Sequence, residues 1–320
     1  MVEPVSRPPH TALAGLAPDT PNSHARHLRG VREHGMTELR VDIGKPLTGL
    51  LGDTTGRDYA DKLSQFNAYA KPELRRLIKG LDLRPGMHVL DAGCGTGDAL
   101  NWLLSEVAPS ERVVGVDLAA VHVAAARHRV PSAIQIHQAN LFDALFEPAS
   151  FDLIWCVNTI NHLLDPVAGV IHLSTLLRRG GRVALGQSSL LPDMYFAWDA
   201  RLERVTNDAV RRYYQDRYQL DENDLKAVRA LVGVLRQAAL QNITVCTVMI
   251  ERVWPLDSAT EAYLSETIFR DTWGERLRPY LSADDHQELA RLCNPLHPDF
   301  ALRRPDFHFL QSFTLATGEI

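Results

Sequence analysis

Along this chain, short apolar runs alternate with longer stretches whose apolar residues recur every three or four positions. Met87 to Ala92 is a buried strand candidate, and Asp98 to Val107 follows as a helix with Leu100, Leu103, Leu104 and Val107 on one face. The rhythm continues with a strand at 112–117, an alanine-rich helix at 119–129, and strands at 133–137 and 151–157. A helical spacing then runs through Leu164, Val167, Val170, Ile171 and Ser174. Gly180-Gly181 breaks the chain before a fifth strand at 182–185. Strands alternating with helices of about ten residues predict a doubly wound, mostly parallel α/β sheet.

After Gln187 the rhythm changes. Residues 188–242 and 257–300 are rich in charge and aromatic side chains, while 244–250 and 307–317 read as two further strands. The expected architecture is a seven-stranded sheet with an antiparallel last strand. The late segments, 191–242 and 257–300, are helical insertions forming a lid over the sheet's C-terminal edge, where open α/β sheets bind ligands. Residues 46–190 would form the core with its N-terminal helices, 243–256 and 301–320 would complete the sheet, and 1–45, with five prolines, would be a mobile tail.

Between the first strand and the first helix of this pattern lies Asp91-Ala-Gly93-Cys-Gly95-Thr-Gly97. Glycine at every second position marks main chain that needs positive φ or close approach by another group. A dinucleotide fingerprint starting at Gly93 would need a third glycine at 98, where the chain has Asp98. A phosphate loop would need Lys after Gly97. The loop itself contains neither Lys nor Arg and is flanked by Asp91 and Asp98, so its ligand is not expected to be an anion there.

These residues resemble motif I of the class I S-adenosylmethionine-dependent methyltransferases, small-molecule type. Asp117, 24 residues after Gly93, matches the acid that ends the family's second strand. The frame from Asn140 to Asp152 resembles the family's adenine-contact and fourth-strand segment, and His162 lies where many small-molecule members carry a His pair. The resemblance spans about residues 55–190 and the last strand. It implies S-adenosyl-L-methionine as cofactor, held by Asp91, Gly93, Gly95, Gly97, Asp117, Leu118, Asn140, Leu141 and Val157, with Tyr69 on a helical stretch placed over it. Asn140 and Leu141 depart from the family, which often has Asp followed by a small residue; Asn still meets an adenine edge as acceptor or donor. The ribose diol suits the carboxylate of Asp117. Asp117 could also cap the helix after it, Asp91 could satisfy turn amides, and Tyr59, Phe66 and Tyr69 could be plain core.

Methyl transfer is an in-line displacement, so the protein must align the acceptor and exclude water. A base is needed only for a protonated acceptor; His162 is the first candidate, with Tyr195 a rival from the lid and packing of the next helix the alternative for His162. His286, His297 and His308 are isolated, so no metal is expected. The lid aromatics, among them Tyr195, Trp198, Tyr213, Phe269 and Trp273, suit a hydrophobic or planar acceptor. A fold that keeps the cofactor only structurally, for a cyclisation or rearrangement, and a non-catalytic binding protein are the other readings.

Charge narrows the partners. Lys+Arg is 34 against Asp+Glu 39, a net −5, which gives no field for nucleic acid or anionic lipid. Neither nucleic acid nor membrane is expected, and a small acceptor molecule is, with a homodimer compatible. The four cysteines form no CxxC pair, which fits a reduced, cytoplasmic setting.

Overall fold

The computed structural model describes residues 60–109, 112–143, 145–163, 165–188, 195–196, 199–218 and 227–320, with backbone only at 195, 196, 218, 227 and 228. The expected tail, Tyr59, Leu164 and Trp198 lie outside the described residues. Helix α1 (Ala60–Lys79) precedes an alternating series: β1 (Val89–Ala92), α2 (Asp98–Val107), β2 (Val113–Asp117), α3 (Ala120–Arg129), β3 (Gln135–Gln138), β4 (Phe151–Val157), α4 (Pro166–Thr175) and β5 (Leu177–Ser188). Then come β6 (Tyr195–Phe196), α5 (Ala200–Tyr218), α6 (Leu231–Gln237), β7 (Gln241–Val253) and α7 (Ser258–Ala262). A π-helix (Tyr263–Trp273), a 3₁₀ segment (Glu275–Tyr280), α8 (Ala283–Cys293) and β8 (His308–Glu319) complete the chain.

The strands form one sheet in the order β3-β2-β1-β4-β5-β8, with β7 on the far side of β8. Strands β1 to β5 are parallel; β8 runs antiparallel to both β5 and β7. Seven strands are those of the sequence pattern. The eighth, β6, is two residues that pair with Phe309 and Leu310 of β8, beyond the end of β5. The glycine break at 180–181 lies inside β5 rather than before it. Pairing with β4 jumps from Phe151↔Leu177 to Leu153↔Arg182, so Gly180, at φ 75°, turns a bulge within one strand.

Side chains alternate between two cores. One face, carrying Val89, Leu153, Trp155, Ala184, Phe309, Phe313 and Leu315, packs on α1, α2, α3 and the π-helix. The other, carrying Leu90, Ile154, Cys156, Val183, Leu185 and Ala316, packs on α4 and α6. The two late insertions therefore do different things. Leu231, Val234 and Leu235 of α6 are buried under the sheet beside α4, as core. The segment 257–300 stays with α1: Phe66, Tyr69, Tyr263, Phe269, Trp273 and Phe300 share one apolar cluster.

Register decides which end of the sheet is equipped for a ligand. Ser188, the last residue of β5, pairs with Phe313, so residues 308–312 of β8 extend past the end of β5. That is the edge at which β1 enters the glycine loop and β4 enters its turn. Among the described residues no helix is long and apolar enough to cross a membrane.

Candidate functional site

The glycine loop leaves β1 at the centre of the sheet and folds back on β2. The N–H groups of Gly93 and Cys94 both donate to the Val116 carbonyl, at 2.8 and 2.9 Å, and Gly97 N–H donates to the Cys94 carbonyl at 2.9 Å. Gly93, Gly95 and Gly97 all take positive φ (83°, 51° and 83°). At all three the close approach comes from the protein, at Gly95 from Leu63 Cδ1, 3.2 Å from where a Cβ would stand. A Cβ on Gly93 would sit 2.2 Å from Thr159 Oγ1, and one on Gly97 would sit 3.0 Å from Ala126 Cβ in α3. The sequence points to bare main chain here; the structure shows that the turn after β4 and the helix after β2 already use it.

Asp117 ends β2 with both carboxylate oxygens engaged. Oδ2 accepts from Gly95 N–H at 2.8 Å; Oδ1 accepts from Ala119 N–H at 2.9 Å and meets His122 Nδ1 at 3.2 Å. Burial opposes ionisation, but the hydrogen bonds from His122, Ala119 and Gly95 outweigh it and hold the carboxyl below the usual range. The helix-entry role weighed for Asp117 is thus present in part, since the carboxylate turns the chain at Ala119, while α3 itself has no side-chain cap. His122, in the first turn of α3, is buried, and its Nε2 has no partner. Nothing in the motif announces it; its only signal is a histidine five residues after a strand-ending acid.

Asp91 is the opposite case. It is 2% exposed, its Oδ2 has no hydrogen-bond partner, and the loop amides bond elsewhere. The role of satisfying turn amides therefore does not describe Asp91. Burial, then the charges of Asp117 and Asp98, push its carboxyl well above the carboxylate range. A buried carboxyl oxygen facing no donor is a position prepared for one.

Asp98 is the hub of a latch. Its Oδ2 accepts from Asn67 Nδ2 (3.1 Å), Thr96 Oγ1 (2.8 Å) and Arg129 (2.9 Å), and the same guanidinium nitrogen donates to Ser64 Oγ (3.0 Å) and the Thr96 carbonyl (3.2 Å). The sequence of the loop holds no cation, yet α3 brings one to its back. Arg129 is matched there by Asp98, so the front of the loop keeps its acidic character. The latch fastens the first half of α1, with Leu63 against Gly95, over the loop.

The other expected residues lie around this edge. Leu118 is 42% exposed. Asn140, also exposed, accepts from Phe142 N–H at 3.1 Å through Oδ1, which leaves its amide nitrogen to donate outward. Leu141 is half-buried against the core under α4, and Val157 packs on the core under α1. His162 is half-buried at the end of a 3₁₀ turn, Ile160–His162, and its N–H donates to the Thr159 carbonyl. It does not cap α4; Asp165 does, accepting from Ala168 N–H at 2.9 Å. Tyr195 stands opposite Leu310 in the pairing of β6 with β8, and its side chain lies outside the described residues. Tyr69 is 1% exposed, with its ring stacked 4.4 Å from that of Tyr263. Its ring contacts are those of a core residue.

Residues 89–181 match the protein family described as "Methyltransferase domain". These residues are a methyltransferase domain. It has the class I, Rossmann-like architecture, with motif I at the β1–α2 turn and the acid at the end of β2. The 27-O-demethylrifamycin SV methyltransferase of Amycolatopsis mediterranei is 29% identical over 46% of this chain and 55% of its own length. The nocamycin O-methyltransferase of Saccharothrix syringae is 32% identical over 37% of this chain and 43% of its own. An uncharacterised 37.1 kDa protein from a transposon of Streptomyces fradiae is 32% identical over 44% and 39%. The chain spans about two-fifths to just over half the length of these relatives. Among solved structures, a methyltransferase described as putative from Bacillus halodurans is 15% identical, with a TM-score of 0.46 over 76% of this chain and 97% of that one. Among the described residues, no group of three or more His, Cys, Asp or Glu side chains is arranged to hold a metal ion around the methyltransferase domain or elsewhere.

Proposed function

We propose that this chain transfers a methyl group from S-adenosylmethionine to an oxygen of a small, hydrophobic or planar acceptor, without a metal. The observation that carries the reading is the pair of carboxyls at one edge: Asp117, ionised and fixed on the glycine loop, and Asp91, buried with Oδ2 unpartnered. The cofactor supplies a methyl group activated on a sulfonium, together with a ribose diol and an ammonium. Asp117 accepts the diol. Asp91 accepts from the ammonium, which fills the position its structure leaves open. Leu118 packs on the base, and the amide nitrogen of Asn140 donates to its ring nitrogen.

His162, at the turn after β4, takes the proton that the acceptor hydroxyl loses as the methyl arrives. Oxygen is favoured as the acceptor atom because the rifamycin and nocamycin relatives are both named for O-methyl groups. The test is calorimetry with S-adenosylmethionine, followed by mass spectrometry of acceptor candidates for a gain of one CH₂. Asp117→Ala is expected to weaken cofactor binding by about 2 kcal/mol, roughly thirtyfold. His162→Gln is expected to leave cofactor binding intact and lower turnover about a hundredfold. Cofactor affinity unchanged in a folded Asp117→Ala variant would contradict the reading.

A further inference from the structure

On the sheet face that carries Asp91 and Val157, the edge beyond β5 is closed by aromatic side chains with one unsatisfied oxygen among them. Tyr69 Oη is buried and has no hydrogen-bond partner. It cannot turn outward to find one. Tyr263 stacks on its ring at 4.4 Å and 16°, the Arg252 guanidinium lies 4.9 Å from its centroid, and Phe66 and Phe309 close the sides at 6.3 and 6.1 Å. Beside it, Tyr263 Oη donates to Gln311 Oε1 at 3.2 Å, and Gln311 is 1% exposed.

Position and chemistry both point to a ligand. Gln311 lies in the part of β8 that projects past Ser188, on the face shared by Phe309 and Phe313, so it stands at the edge where the glycine loop and the turn after β4 emerge. Tyr263 opens an eleven-residue π-helix, a backbone form uncommon except as single turns and frequent at functional sites. A buried hydroxyl with no partner costs stability, and phenylalanine would fill the same space without that cost. A charged group would gain little beside this hydroxyl. Arg252, the cation against this ring, is balanced by the carboxylate of Glu73, whose two oxygens it meets at 2.9 and 3.0 Å, and it also donates to the Tyr69 carbonyl at 2.6 Å. Burial pushes both phenols far up, so they stay protonated donors.

We propose that the Tyr69 hydroxyl, with the Tyr263–Gln311 pair beside it, recognises an uncharged oxygen, a hydroxyl or carbonyl, on a planar acceptor. This assignment rests on the methyl-transfer reading, and the experiment separates the two. Protein loaded with S-adenosylhomocysteine is titrated calorimetrically with 2-naphthol, naphthalene and 2-naphthoate as probes. The neutral naphthol is expected to bind about tenfold tighter than the hydrocarbon or the anion, the scale of one hydrogen bond in a dry site. Tyr69→Phe is expected to erase that preference, keep S-adenosylhomocysteine affinity within about twofold, and melt no lower than the parent. A hydroxyl serving only the core would give the same or higher melting temperature with unchanged probe ranking, and that result overturns the proposal. So does a wild-type protein that does not bind naphthol, or does not prefer it. Failure to bind S-adenosylhomocysteine at all would overturn the methyl-transfer reading itself, and with it this assignment.

Discussion

Asp91 and Asp117 are the same side chain at the ends of neighbouring strands, and their surroundings drive them apart. Asp117 is surrounded by N–H donors; Asp91 meets apolar walls and two like charges. The sign of the stability effect follows. A carboxyl whose folded pKa is raised takes up protons on folding, so its favourable contribution is complete below the unfolded value, near 3.9, and is lost as pH rises through the range above it. Asp91→Asn is therefore expected to raise stability at pH 7 by about 1–3 kcal/mol, with the gain shrinking as pH falls toward about 4, measured by urea unfolding across that range. The same variant is expected to lose cofactor binding. Asp91, Asp117 and the glycines were legible in the sequence because their spacing is tied to one strand–turn–helix unit. His122, Thr159 and Arg129 were not, because each reaches the loop from another element.

Among the elements, the strands and the helices between them were read from the pattern to within two or three residues up to β4, since each buries one face at a regular period. The misreadings have physical causes. A glycine pair that looks like a break turns a bulge inside β5. The apolar segment of α6, embedded in a charged stretch that reads as lid, supplies the layer under β7 and β8 beside α4. Helix α1 is held by polar contacts that no hydrophobic period reveals. Arg129→Ala removes its bonds to Asp98, Ser64 and the Thr96 carbonyl. Because the pair is partly exposed, the global cost is expected to be within about 1 kcal/mol. Amide exchange in the first half of α1 and in residues 95–97 is nevertheless expected to speed up about tenfold, since the latch acts on local opening. Hydrogen exchange with mass spectrometry, beside a melting curve, checks both.

At the scale of the whole molecule, the segment 257–300 and α1 form one covering layer. Gln65 of α1 bonds Glu266 and Thr267 of the π-helix, and Lys62 pairs with Asp271. That layer lies over the face bearing Asp91. Limited proteolysis is expected to nick 257–300 in the ligand-free protein and to slow at least about fivefold with cofactor and acceptor together; equal rates would remove the idea that the layer closes on its ligands. The sheet was legible as a whole because its order follows from alternating strands and right-handed crossovers. The helical lid at 257–300 was legible as a segment, but its joining to α1 was not, because the aromatics that join the two are distant in sequence and carry no shared period.

The unpartnered oxygen of Asp91 also couples binding at this edge to protons. An ammonium brought to that oxygen favours the ionised carboxyl that burial disfavours, so any proton the carboxyl holds is released on binding, and calorimetry in buffers of different ionisation enthalpy is expected to read the amount. Ligand at a hundredfold its dissociation constant adds about 2.7 kcal/mol to the stability of the folded state.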